Sequence, residues 1–451
     1  MAKFNRENVL RQLEFKRKWR SYSRYVYIAV PCVLCCLLCL YFAYSKFFVS
    51  EEQAVIRTTV GDFIYGDVVI GAYIDGEYSS TIPGKNDGYV VENVACDNGA
   101  VGEWNNDNWG LLTTNLSKRT KCNVYFKKGI KIGNLVASVD ELGKCPTVND
   151  DGSVNVTAVE ATDGYLCNAK DAYGTSYYYR GNVTNNYVKF ADKYWRIVRI
   201  NGDGTVRVIY DGTSAHANGE SSSDRQIGTS AFNSSYNDNA YVGYMYGQTG
   251  ASTYAAAHAN TNNSTIKAYI DNWYKTNIVG TTNEQYLADN IFCNDRSISS
   301  NKPSSSYNNL GYGTNVTVYR WYYWADNTYN NKMMLTCPQK NDAFTVSDTT
   351  NGNGALTYPV GLLSTDEIVL AGGWNASNSG YYLYSGKYWW ASSPYGFYGS
   401  GASVRRVTSD GNANAGISVG NYNGVRPVFN LKAEVLAQGS GTATDPYRIS
   451  S

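Results

Sequence analysis

Residues 25–48 (YVYIAVPCVLCCLLCLYFAYSKFF) are apolar almost without a break. A helix needs about 20 mainly apolar residues to cross a bilayer, because its backbone polar groups must pair within the segment. The run has that length, and its one charge, Lys46, lies near the far end, so the pattern predicts a single N-terminal transmembrane helix. A cleavable signal peptide is the rival reading. Its apolar core would be shorter and would end in small residues, whereas Tyr-Phe-Ala-Tyr-Ser-Lys-Phe-Phe closes this run.

Downstream the period changes. Between positions 56 and 126 short runs alternate branched or aromatic residues with polar ones and break at Gly61, Gly66 and Gly76, with Asp97-Asn98-Gly99 as a turn. No helix-period segment interrupts them, which predicts a small all-β (Ig-like) spacer over 49–129. Residues 130–174, with a hairpin signal at Asp150-Asp151-Gly152, read as a linker or a small disulfide-pinned subdomain. From 175 onward the patterns are stronger. YVKFADKYWRIVRI and TVRVIYDG alternate on either side of Asn201-Gly202-Asp203-Gly204, whose glycines allow a tight hairpin. In STIKAYIDNWYKTNI, Ser264 is an N-cap, and Ile266, Tyr269, Ile270, Trp273 and Ile278 recur at helical spacing. A shorter helix is expected over 364–370 with Ser364 or Thr365 as its cap.

Charge orients this arrangement. Before the apolar run eight basic residues face Glu7 and Glu14, so the tail 1–24 carries +6 and should remain in the cytoplasm. The remainder of a chain of net charge +1 then carries −5, which is no footprint for nucleic acid, whereas the tail suits anionic lipid headgroups. The expected location is therefore the cell membrane, crossed once, with the C-terminal bulk outside. The 41 tyrosines, 10 tryptophans and 43 glycines, with few charges, argue against disorder and match the mixture of rigid aromatics and adaptable polar groups found in recognition surfaces.

Cysteines divide by compartment. Cys32, Cys35, Cys36 and Cys39 lie in the apolar run and read as filler or palmitoylation sites. Cys96, Cys122, Cys145, Cys167, Cys293 and Cys337 lie where disulfides persist. Sequence leaves fifteen connectivities open, and neighbour pairing (Cys96–Cys122, Cys145–Cys167, Cys293–Cys337) is the economical expectation. No metal and no cofactor is expected. Asn201 and Asp203 belong to a hairpin turn rather than a calcium loop, which needs more oxygen ligands and a terminal Glu. The two histidines, His216 and His258, have no zinc-type spacing and read as solvated loop residues. The carboxylates Asp295, Asp366 and Glu367 would serve a glycosidase, yet nothing marks the latter two apart from acids in a first helical turn.

The C-terminal segment carries a resemblance. It reads GLLSTDEIVLAGGW, then GKYWWASSPYGFYGSGASVRRVTSDGNANAGISVGNYNGVRPVFNLKA. This resembles an uncharacterised C-terminal domain of membrane-anchored surface proteins of gut Firmicutes. More remotely it is similar to the C-type-lectin-like fold shared by formylglycine-generating enzymes and the variable proteins of diversity-generating retroelements. The resemblance implies an α+β C-type-lectin-like head over 175–451, framed by Trp389, Trp390, Val425, Pro427 and Val428, with Arg426 paired to a carboxylate. It implies a ligand surface of Tyr395, Phe397, Tyr398, Arg405, Asn412, Asn414, Asn421, Tyr422 and Asn423. The calcium-type sugar motifs of lectins, Glu-Pro-Asn and Gln-Pro-Asp, are absent. The functional expectation is a non-enzymatic cell-surface binding or adhesion protein whose lectin-like head meets an extracellular glycan or protein. The alternatives are a glycan-directed extracellular hydrolase and a structural coat protein.

Overall fold

The computed structural model of the chain describes residues 11–20, 64–65, 68–115, 120–138, 145–156, 164–323, 332–398, 400–413 and 415–449. The predicted membrane span 25–48 lies outside these residues. Among the described residues no helix is long and apolar enough to cross a membrane. The expected fold class is corrected: among the described residues the chain is mostly β-sheet with four short helices, and the expected α+β head is not seen. One helix covers 11–20, and the others are Tyr254–Ala257, Thr265–Asn277 and Thr365–Leu370.

The chain divides into two compact units, one comprising 1–73, 77–82 and 93–125, the other 74–76, 83–92 and 126–451. The first unit is small. It buries Ala72, Cys122 and Val124, stacks Tyr73 on Tyr125 at 5.0 Å, and closes the hairpin Val101–Asn105 with Gly110–Thr114. The Cys96–Cys122 disulfide staples it, which matters where a core is small for its surface.

The second unit holds two large sheets beside three small ones of two or three strands. In the larger one, Lys193–Ile200 pairs with Val206–Gly212 across the Asn201–Gly204 turn, and Val206–Gly212 pairs in turn with Val428–Leu431. Its other flank continues through Tyr187–Phe190 to Tyr447–Ile449, Leu436–Gln438 and Ile130–Lys131, while Gly164–Asp171 and Gly174–Gly181 extend it as a long hairpin. The six-stranded sheet runs Thr229–Ala231, Tyr422–Gly424, Trp389–Tyr398, Gly401–Val407 and Ala415–Ser418, with Thr317–Val318 added to Trp389–Tyr398. Cys145–Cys167 and Cys293–Cys337 also belong to this unit, so the described cysteines are joined as sequence neighbours throughout.

Local signals explain the two main helices. Ser264 accepts a hydrogen bond from Lys267 N, and Ile266, Ile270 and Tyr274 of Thr265–Asn277 are buried. Ser364 and Glu367 form a reciprocal capping box on Thr365–Leu370, a helix of six residues that is buried along its whole length. The expected framework residues Trp389, Trp390, Val425 and Val428 are all in the core.

Charged residues tie the layers of this unit together. Asp211 Oδ1 accepts from Arg225 Nε at 2.8 Å and from Arg426 Nη2 at 2.7 Å, with Arg196 Nη1 3.9 Å from Oδ2. The carboxylate partner expected for Arg426 is thus Asp211. Glu367 Oε1 receives Arg199 at 3.0 Å and Arg207 at 2.5 Å, fastening the capped helix to two strands of the large sheet. These groups are buried, so each ion is compensated by its partner and by backbone carbonyls rather than by water.

Candidate functional site

The end of the six-stranded sheet at the tip of the hairpin Trp389–Tyr398/Gly401–Val407 gathers a group of tyrosines, of which Tyr236 and Tyr398 are exposed. Strand alternation alone would put Tyr395 and Tyr398 on opposite faces. Register shifts between Trp390 and Pro394 and between Pro394 and Gly396 break the alternation and re-aim Tyr395. Tyr395 therefore meets Tyr398 edge-on at 5.9 Å and stacks on Tyr322 at 4.9 Å and 25°, while Tyr322 and Tyr398 meet at 6.3 Å. The rings lie close to the sheet because glycine leaves room for them. A Cβ on Gly416 would lie 2.3 Å from a carbon of the Tyr395 ring, and one on Gly396 would lie 3.2 Å from Tyr398. Tyr236 completes the group from the loop after Thr229–Ala231. Its carbonyl accepts from Ala402 N, and its ring approaches Gly401 and Gly420 at the hairpin tip.

Beneath this group, Arg405 lies 4.5 Å from the Tyr395 ring centre and donates from Nε and Nη2 to the Trp321 carbonyl. Burial lowers its pKa to about 9. Burial, and then Tyr395 beside it, raises the Tyr398 hydroxyl to about 12. Tyr236, Tyr398 and Tyr422 are exposed. Such an arrangement offers ring faces for stacking and hydroxyls for hydrogen bonds.

The residues expected to form a ligand surface do not all lie together. Tyr395 and Tyr398 share the platform, and Asn421 and Tyr422 are exposed at and just after the turn that follows Ala415–Ser418. Three assignments are corrected. Phe397 points into the core because it falls on the opposite face from Tyr398. Arg405 is on the platform face but is covered by the segment around Trp321. Asn423 is buried, with its side-chain oxygen taken by Arg406. Asn412 sits in the turn at the far end of Gly401–Val407, about 20 Å along the strand from the tip. Asn414 lies outside the described residues. Sequence reasoning missed Tyr236 and Tyr322. The available signals were a lone aromatic in the polar loop NSSYNDN and the aromatic run RWYY.

The carboxylates considered for hydrolysis are engaged elsewhere. Arg320 lies 2.5 Å from both Asp295 and Asp366, and Asp366 also accepts from Met334 N. Burial raises Asp366 to about 6 against the pull of Arg320. Glu367 is held by Arg207, Arg199 and the capping box. Neither histidine is solvated as expected: both are buried. His216 lies between Glu220 and Asp224 at 2.7 and 3.0 Å. His258 packs on Tyr254 at 3.8 Å, and its pKa falls to about 2, first from burial and then from Arg296. Among the described residues no group of three or more His, Cys, Asp or Glu could hold a metal ion.

Comparison with known proteins adds one finding. Residues 262–433 match the family model of a domain of unknown function, DUF6273. No curated protein matches the chain. No solved structure matches it either. The matched segment is similar to that family over the six-stranded sheet apart from Thr229–Ala231, the two main helices and the central strand Val428–Leu431 of the large sheet.

Proposed function

We propose that this protein is a binding protein that works outside the cytoplasm and contacts its ligand through the tyrosine platform of Tyr236, Tyr322, Tyr395 and Tyr398. The observation that carries the reading is the platform itself: aromatic rings laid on glycines at a sheet end, with exposed Tyr236 and Tyr398 at its edge. Large side chains exposed together cost solubility and mark interaction surfaces. The three disulfides support an oxidising compartment, where such bonds persist. Phenol hydroxyls and ring faces favour a sugar ring or a protein anchor over a strongly charged ligand.

The full-length chain on an array of neutral glycans and surface proteins tests this, alongside a double variant Tyr395→Ala/Tyr398→Ala. Binding by the parent that falls at least tenfold in a variant with an unchanged melting transition is the expected result. Equal binding by both would remove the platform from recognition, and a coat role without a discrete ligand would then lead.

A further inference from the structure

On the face of Gly401–Val407 opposite Arg405, the next residue is held in a different way. Arg406 donates from Nη1 to Asn423 Oδ1 at 3.0 Å, and the ring of Tyr388 lies 4.3 Å from its guanidinium carbon. The arginines Arg199, Arg207, Arg225, Arg296, Arg320 and Arg426 each meet a carboxylate. Arg406 meets none among the described residues, and its Nε has no hydrogen-bond partner. Asn423, which holds it, is itself buried, and its Nδ2 is left without a partner. Buried polar groups are normally paired, so an amide that spends its oxygen on positioning a guanidinium and leaves its nitrogen unsatisfied is a cost that calls for a reason. The half-buried Arg406 is thereby oriented before any ligand arrives, with an exposed aromatic ring at its side.

We propose that Arg406, Tyr388 and Asn423 form a subsite for a carboxylate carried on a sugar ring, that is, a uronic-acid residue of an acidic glycan. A fixed, half-desolvated guanidinium is suited to a carboxylate, which it binds more strongly and with better geometry than a lysine would. The exposed part of Tyr388 supplies a surface for the pyranose ring bearing that carboxylate. One guanidinium held beside one ring suits one carboxylate per sugar better than a run of acidic peptide side chains. Asn423 acts as a positioning residue, since it touches the arginine and not the ligand. This site is independent of the tyrosine platform, which lies on the other face of the same strand.

The test is calorimetric titration of the full-length chain with trigalacturonate and with neutral galactotriose. The parent should bind the acidic trisaccharide at least tenfold more tightly, and Arg406→Gln should abolish that preference. Tyr388→Ala changes an exposed residue and is expected to weaken trigalacturonate binding severalfold, which keeps the test decisive if Arg406→Gln does not fold. Arg406→Gln should weaken trigalacturonate binding and leave galactotriose binding unchanged, so failure of the platform and failure of this subsite are told apart. Equal binding of the two trisaccharides, no binding of trigalacturonate at millimolar concentration, or a preference retained in Arg406→Gln would overturn the proposal. Binding of tetraglutamate as tight as that of trigalacturonate would overturn the assignment to a sugar.

Discussion

At the scale of single residues, the second unit uses its arginines as internal fasteners. Arg199 and Arg207 share Glu367, and Arg225 and Arg426 share Asp211, so charges that sequence places on strand surfaces end up between layers. His216 belongs to the same style of construction on a more exposed scale. Its two ring nitrogens face Glu220 and Asp224 at 2.7 and 3.0 Å. The bond from His216 first, and then that from Ala217 N, hold Glu220 below its ordinary pKa against a smaller effect of burial. For Asp224, burial pushes up, but the bonds from His216 and Thr213 outweigh it and the net direction is down. A carboxylate lowered on folding contributes stability that is present above its unfolded pKa and lost as pH falls through the folded one. Replacing His216 by Gln should therefore lower the melting temperature most near pH 6. The difference from the parent should shrink on acidification and be nearly closed below about pH 3, under the ordinary carboxylate range of roughly 3.9–4.3. Melting curves across that range check the sign, and a gap that widens toward acid would contradict it.

At the scale of elements, what the sequence made legible was local. Ser264 and Ser364 announce their helices, and Asn201–Gly204 announces its hairpin, because caps and turns depend on a few neighbouring residues. The faces of Trp389–Tyr398 were not legible, since the register shifts around Tyr395 cannot be seen in an alternating pattern. The burial of Arg405 was equally hidden, because what covers it is Trp321, 84 positions away. The α+β expectation came from resemblance. It failed because the longest helix of the second unit has 13 residues and the capped one six, against a 10-stranded and a 6-stranded sheet. Disulfides act at this same scale by closing loops in the unfolded chain. Their sequence separations are 26, 22 and 44 residues. Loop-closure entropy then assigns about 4 kcal/mol to Cys293–Cys337 and about 3.4 kcal/mol to Cys145–Cys167. Denaturant titration of the two double-serine variants should show the larger loss for the Cys293/Cys337 pair. The reverse order would mean that loop length does not govern these bonds.

At the scale of the whole molecule, the boundary of the matched family and the boundary of the folded unit differ. The match covers 262–433, yet the second unit runs on both sides of it. Within the match lie Glu367 and Arg426, while their partners Arg199, Arg207 and Asp211 lie before it. Val428–Leu431 lies inside the match and pairs with Val206–Gly212 outside it, so cutting at 262 would bare a strand edge and a hydrophobic face together. Leaving a buried ion without its partner costs about 3–5 kcal/mol, and a fragment beginning at 262 leaves two such ions at once. That loss is comparable with the roughly 5–15 kcal/mol by which whole domains are stable. The segment 262–433 expressed alone should therefore show no cooperative melting and poor amide dispersion in NMR spectra, whereas the full-length chain should melt cooperatively. Independent folding of 262–433 would mean that Glu367 and Arg426 find other partners, and the buried ion clusters would lose their place as the fasteners of this unit.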